Sequence, residues 1–165
     1  MIVYLVGMPG SGKSVVGREL AGRLGVPFVD LDREIESEAG GTVADIFAAQ
    51  GEPAFRAMEA AALVKASTHD PSVVACGGGV VLEPANRITL RNTGTCVFLD
   101  VPLAQLRERV RPSPARPLIR EEGDLERLRG EREPLYREFA AHVVDGRSEP
   151  GDVAAAIVEE LRWSG

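Results

Sequence analysis

Lysine is nearly missing from this chain: of its 19 basic residues only Lys13 and Lys65 are lysines, and the rest are arginines. Acid outweighs base, with 25 Asp and Glu giving a formal charge of −6. A net acidic chain lacks the basic face that sequence-independent nucleic-acid binding requires, so no nucleic-acid partner is expected. No stretch approaches the roughly 20 apolar residues of a membrane span. The opening Met1-Ile-Val-Tyr-Leu-Val-Gly has no basic start and too short an apolar run for a signal peptide. Cysteine is scarce as well. Cys76 and Cys96 form no C-x-x-C, have no histidine close by and lie in apolar, strand-like runs. They read as buried free thiols rather than metal ligands, and this set of absences points to the cytoplasm, without a membrane partner.

What remains is an ordinary globular composition of 165 residues, 44% hydrophobic and 27% charged, sufficient for one buried core and a single domain over residues 1–165. There is no internal repeat and no linker. Short β-branched runs alternate with helical stretches. Strands are expected at Ile2–Val6, 27–30, 72–76, 95–100 and His142–Asp145. Helices are expected at Lys13–Leu24, Leu31–Ala39, 42–50, 52–67, 83–91, 103–110, 125–141 and 151–163. Such alternation implies an α/β fold of three layers, a five-stranded parallel sheet flanked by helices. Regularity fails at 111–124, where three prolines and one glycine interrupt any apolar period. A loop this long inside a compact domain is usually functional, and a lid is expected there.

Residues 7–14 read Gly-Met-Pro-Gly-Ser-Gly-Lys-Ser and fit G-x-x-x-x-G-K-[ST]. The motif follows a strand and opens a helix, the context its chemistry needs. Glycines let the backbone curl so that the N–H groups of Gly10, Ser11 and Gly12 point at phosphate oxygens, and the helix start adds partial positive charge. Lys13 is placed to reach the β/γ-phosphates of ATP and the Ser14 hydroxyl to ligate Mg²⁺. The plainer alternative is a glycine-rich strand-to-helix turn. Val15 stands among the nucleotide contacts where many such loops carry a second hydroxyl, which predicts slightly weaker nucleotide binding. Asp30 ends the second strand, at the edge where open α/β sheets bind ligands; it can hold Mg²⁺ through water or cap the next helix. Asp32 is equally suited to capping.

Four further features follow in order: Asp30-Leu-Asp32; Phe55-Arg56-Ala-Met-Glu59; Gly77-Gly78-Gly79; and Arg116-Pro117-Leu118, with Arg132-Glu-Pro-Leu-Tyr136 after them. With the phosphate loop at the front, this set resembles the shikimate kinase family over essentially the whole chain, from Ile2 to about Trp163. The resemblance implies the P-loop kinase fold of the nucleoside monophosphate kinases, with a lid at 111–124. It implies transfer of the γ-phosphate of ATP to the 3-hydroxyl of shikimate, in aromatic amino-acid biosynthesis, by a monomer. Shikimate and ATP would then be the partners and Mg²⁺ the cofactor.

By the same resemblance, Lys13, Asp32 and Arg116 are the catalytic residues. Arg56 and Arg132 are forks for the acceptor carboxylate, residues 77–79 lie against the ring, and Phe47 and Phe55 are apolar walls. Asp32 binds the acceptor hydroxyls and orients or deprotonates the attacking one. Arg116 closes over the γ-phosphate, while Arg109 and Pro150 flank adenine. Taken alone, the same residues have simpler readings. Arg56 is a surface i,i+3 partner of Glu59, which could also orient it; Arg132 is a solvated helix residue; the three glycines are a tight turn; the two Phe belong to the core. Arg107 and Arg111 compete with Arg109. A gluconate kinase would share the loop, sheet and lid without needing the whole set. A nucleotide kinase would want a larger pocket and more phosphate-binding arginines. An inactive, kinase-like binding module would have lost Lys13, Asp32 or Arg116.

Overall fold

The computed structural model describes residues 1–163. Five strands, β1 (Ile2–Val6), β2 (Phe28–Asp30), β3 (Ser72–Ala75), β4 (Gly94–Asp100) and β5 (His142–Asp145), form one parallel sheet in the order β2–β3–β1–β4–β5. Eight helices connect and cover it: α1 (Lys13–Leu24), α2 (Leu31–Ala39), α3 (Val43–Gln50), α4 (Glu52–Ala66), α5 (Pro84–Thr93), α6 (Leu103–Arg109), α7 (Asp124–Phe139) and α8 (Pro150–Trp163).

The central strand shows why three layers form. All five residues of β1 are buried, and successive side chains of a strand point to opposite faces. Val3 and Leu5 pack with Val16 and Leu20 of α1 and Val153 and Ile157 of α8. Ile2, Tyr4 and Val6 face the other way, into a larger cluster with Leu63, Leu90, Phe98 and Tyr136. A strand buried on both faces has no polar side to show, hence the continuous apolar run. The chain leaves β1 toward β2 and β3 on one side and reaches β4 and β5 on the other. Carboxyl ends of strands beside such a reversal open a crevice. The loop after β1, the end of β2 and the glycine run after β3 all lie at that end.

Boundaries moved where side chains decide them. Thr42 is not the first helical residue but the cap of α3: its hydroxyl accepts from the Asp45 amide (3.1 Å), and Asp45 accepts from the Thr42 amide (2.9 Å). Asp124 belongs to α7 rather than to the irregular loop, and its carboxylate ties that loop to the helix by accepting the amides of Arg120 (2.9 Å) and Glu121 (3.1 Å). β3 ends at Ala75, although the Cys76 amide still reaches the Leu5 carbonyl. Both cysteines are free and buried as expected, and burial pushes the Cys96 thiol up to about 12 and the Cys76 thiol well above its ordinary range. No helix among the described residues is long and apolar enough to cross a membrane.

β4 begins one residue earlier than expected, at Gly94, where it pairs with Ile2. A Cβ there would sit 2.7 Å from the Tyr4 ring and 3.0 Å from the Ile2 Cβ, and closer still to the Ile2 carbonyl oxygen. The backbone is extended (φ −171°), so any cost of a larger residue is steric. Gly94→Ala is expected to lower the free energy of unfolding in urea by about 1–3 kcal/mol. An unchanged midpoint and slope would contradict this account of the β1–β4 contact.

Candidate active site

The three strand ends and residues 115–119 of the irregular loop line a cavity of about 600 Å³. Its wall contains Gly10 and Gly12 from the loop after β1, Lys13, Ser14 and Val15 from the first turn of α1, and Asp32, Arg56, residues 77–79 and Arg132 from four later segments. Arg116 lines the same space, together with its neighbours Pro117 and Leu118.

The nucleotide end is built from backbone. Gly10 (φ 79°) and Gly12 (φ 92°) take left-handed conformations that curl the loop, as its motif demands. Gly12 is the cap residue of α1, no side chain caps that helix, and its first turn contains no acid. The first amides of α1 and their dipole are therefore left for an anion. Ser11 is 1% exposed, its hydroxyl lies inside the loop without a hydrogen-bond partner, and its backbone N–H donates to the Met8 carbonyl at 3.1 Å. Lys13 is folded along the loop and donates to the carbonyls of Gly7 (2.8 Å) and Met8 (2.9 Å). Burial lowers its pKa to about 8, against the opposing field of Asp32.

Asp30 caps α2 and also touches the phosphate-loop serine. One oxygen accepts the Arg33 amide at 3.4 Å, a long cap on α2, and the other accepts the Ser14 hydroxyl at 2.6 Å. A hydroxyl and a carboxylate in contact are the hard oxygen donors that Mg²⁺ takes in company with water and phosphate, so the residues present fit that ion. Arg109 donates to the Gly10 carbonyl at 3.1 Å. Arg107 is instead paired with Glu126, and Arg111 lines a separate hollow with Arg107 and Glu126. Of the three arginines, Arg109 is the one on the nucleotide loop. Neither Arg109 nor Pro150, the first residue of α8, lines the main cavity; they lie outside the set that the structure gathers there.

The acceptor end is built from buried charge. Asp32 does not cap α2; its Oδ1 is buried with no hydrogen-bond partner, and burial raises its pKa against the pull of Lys13. Arg56 donates to Glu59 at 2.9 Å and to Glu52 at 3.2 Å. The pair with Glu59 is no surface pair: Glu59 is 1% exposed, its second oxygen has no partner, and burial raises its pKa despite Arg56. Phe47 and Phe55 pack at 5.0 Å between ring centroids, and Phe55 serves the core and the cavity wall at once. Arg132 is not solvated, as the sequence alone suggested, but 3% exposed. Among the described residues no carboxylate lies at ion-pair distance from it; Glu59 acts on it only at longer range.

Packing inside the site gives the glycine run a reason of its own. None of the three residues adopts a positive φ. Space is what they provide. A Cβ on Gly77 would lie 2.6 Å from Glu59 Oε2 and 3.0 Å from Asp32 Oδ1; one on Gly78 would lie 3.0 Å from an Arg132 nitrogen. One on Gly79 would lie 2.5 Å from the Arg56 Cζ. The absent side chains make room for the site's own carboxylates and guanidiniums.

Glu36, one turn after Asp32, also lines the cavity and accepts the Val43 amide at 3.1 Å, tying α2 to α3. Leu118, Ile119 and Leu128 supply apolar wall, and Ile119 anchors the loop in the core. Glu36 and Leu128 were not expected at the site, although each stands four residues from an expected site residue, Asp32 or Arg132. Gly79→Ala should displace Arg56 and raise the KM of the acceptor about tenfold or more, with the KM of ATP unchanged. Equal loss for both substrates would show a collapsed site rather than a displaced arginine.

A family model described as shikimate kinase matches residues 9–162. A shikimate kinase of Symbiobacterium thermophilum is 48% identical, over 100% of this chain and 98% of its own length. One from Paracidovorax citrulli is 43% identical, over 96% of this chain and 88% of its own. Among solved structures, shikimate kinase from Acinetobacter baumannii in complex with shikimate superposes with a TM-score of 0.95 at 35% identity, covering 99% of this chain and 93% of that one. By these matches the chain belongs to the shikimate kinase family.

Proposed function

We propose that this chain transfers the γ-phosphate of ATP to the 3-hydroxyl of shikimate, giving shikimate 3-phosphate and ADP. The observation that carries the reading is Arg132, a guanidinium 3% exposed and, among the described residues, without a carboxylate at ion-pair distance, in the same cavity as the phosphate loop. A buried charge of this kind calls for an anionic ligand, and a guanidinium fork matches a carboxylate. Shikimate carries that carboxylate on a ring with three hydroxyls. Phe47 and Phe55 offer the ring apolar wall, and Asp32 and Glu59 offer unpartnered oxygens to hydroxyl donors.

Arg132 and Arg56 hold the carboxylate end. Asp32 accepts a hydrogen bond from the 3-hydroxyl and aims its oxygen at the γ-phosphorus. A bond forms between that oxygen and phosphorus as the bond to the β,γ-bridging oxygen breaks, and the hydroxyl proton passes to Asp32. Phosphoryl transfer depends on positioning and charge stabilisation, so no strong base is needed. Lys13 exchanges its two carbonyl partners for phosphate oxygens, and the first amides of α1 share that charge. Arg116 comes down with its loop on the γ-phosphate. Mg²⁺, held by Ser14 and by Asp30 through water, would neutralise phosphate charge when bound. Arg109 and Pro150 flank the adenine. Residues 1–165 act as one catalytic domain, a monomer in the cytoplasm, with residues 111–124 as its lid.

Purified protein with Mg·ATP should release ADP on addition of shikimate and not of gluconate, and mass spectrometry should detect the phosphorylated acid. ATP binding without release on shikimate would overturn the acceptor and leave the nucleotide site standing. Asp32→Ala should lower kcat by roughly 10²–10⁴ while ATP still binds by calorimetry. Full activity in that variant would remove Asp32 from its role. Arg116→Ala should lower kcat by about 10²–10³ with little change in acceptor KM; a change confined to acceptor KM would place Arg116 in binding instead.

A further inference from the structure

We infer that Tyr136 is a positioning residue for the acceptor, whose buried hydroxyl fixes Arg132 and the Gly78 backbone in one arrangement; the inference rests on the kinase reading above. Tyr136 is 0% exposed and stacks on Phe98 at 5.2 Å between centroids. Stacking explains a ring there but not a hydroxyl, which is costly to bury without partners. The hydroxyl donates to the carbonyl of Gly78, 58 residues away. Arg132 lies one turn earlier on the same face of α7, and its Nη1 is 3.0 Å from where a Gly78 Cβ would stand. Two groups of one helix thus converge on a single glycine.

The phenol has one proton and two lone pairs. With its proton committed to Gly78, its oxygen is free to accept from the Arg132 guanidinium; burial raises the phenol's pKa and the nearby Arg132 opposes it, leaving it at about 12. A guanidinium fixed on one edge presents its remaining N–H groups in a set direction. A free arginine would have to be ordered on binding, which costs affinity. Between the two residues Pro134 occupies the helix interior, where it removes the amide that would bond to the Gly130 carbonyl. This irregular turn is the one that carries the clamp.

Tyr136→Phe keeps the ring and its stacking and removes the oxygen alone. Its KM and calorimetric Kd for shikimate should rise about tenfold, with kcat changed less than about twofold and the KM of ATP unchanged. Phe98→Leu removes the stacking partner and should lower the melting temperature without raising the KM for shikimate. In an Arg132→Ala background, Tyr136→Phe should add less than about twofold, because the hydroxyl acts through the arginine. An unchanged shikimate KM in Tyr136→Phe overturns the inference. So does an equal rise in Phe98→Leu, which would make the effect one of packing, or an undiminished effect in the Arg132→Ala background. Wild-type protein that neither binds nor phosphorylates shikimate would instead overturn the kinase reading and this inference together.

Discussion

Arg132 carries its charge where water is nearly excluded, and among the described residues no carboxylate meets it at ion-pair distance. A buried charge left so is costly unless hydrogen bonds and a counter-ion satisfy it. Much of the surrounding structure follows from accommodating it. Gly78 has no side chain because Arg132 fills the space. Tyr136 bonds the Gly78 carbonyl, and Glu59 contributes negative charge at longer range. Arg56, held by Glu59 and Glu52, brings a second guanidinium to the same cavity, and Gly79 is the glycine that makes room for it. On the proposed function, an anion of the right shape relieves this mismatch and so places binding energy at the acceptor.

The sheet supplies the second half of the site. Reversal of strand order at β1 brings the ends of β1, β2 and β3 together, so the phosphate loop, Asp30 and the glycine run share one crevice. Ser14 and Asp30 come from consecutive strand ends and meet at 2.6 Å. Lys13, held by two carbonyls of the phosphate loop, lies half-buried near Asp32, and each shifts the other's proton affinity in the direction opposite to burial. Nucleotide and acceptor ends are thus one electrostatic unit, joined through Lys13 and Asp32.

Nearly every element was legible in the sequence, because a parallel sheet buried on both faces writes its strands as unbroken apolar runs such as Ile2–Val6. The phosphate loop was equally plain, its glycines being required by left-handed backbone at Gly10 and Gly12. Less was visible where a residue's meaning depends on what lies across the cavity. Arg132 sits in a highly charged helix and looks solvated until Leu125, Leu128, Tyr136 and Phe139 are seen to form one buried stripe that includes it. The glycine run signalled close approach but not of what; its neighbours are side chains from α2, α4 and α7. Thr42 and Asp45 carried a capping pattern with Asp in place of the usual Glu, and one helix boundary slipped accordingly.

The account turns on a carboxylate meeting Arg132. Calorimetry of wild-type protein and of Arg132→Ala with shikimate and with its neutral carboxamide, which keeps the ring and hydroxyls, tests this directly. Wild-type protein should prefer the carboxylate by about tenfold or more, and most of that preference should vanish in Arg132→Ala. Equal affinity of wild-type protein for the two ligands, or a preference untouched by the substitution, would contradict it.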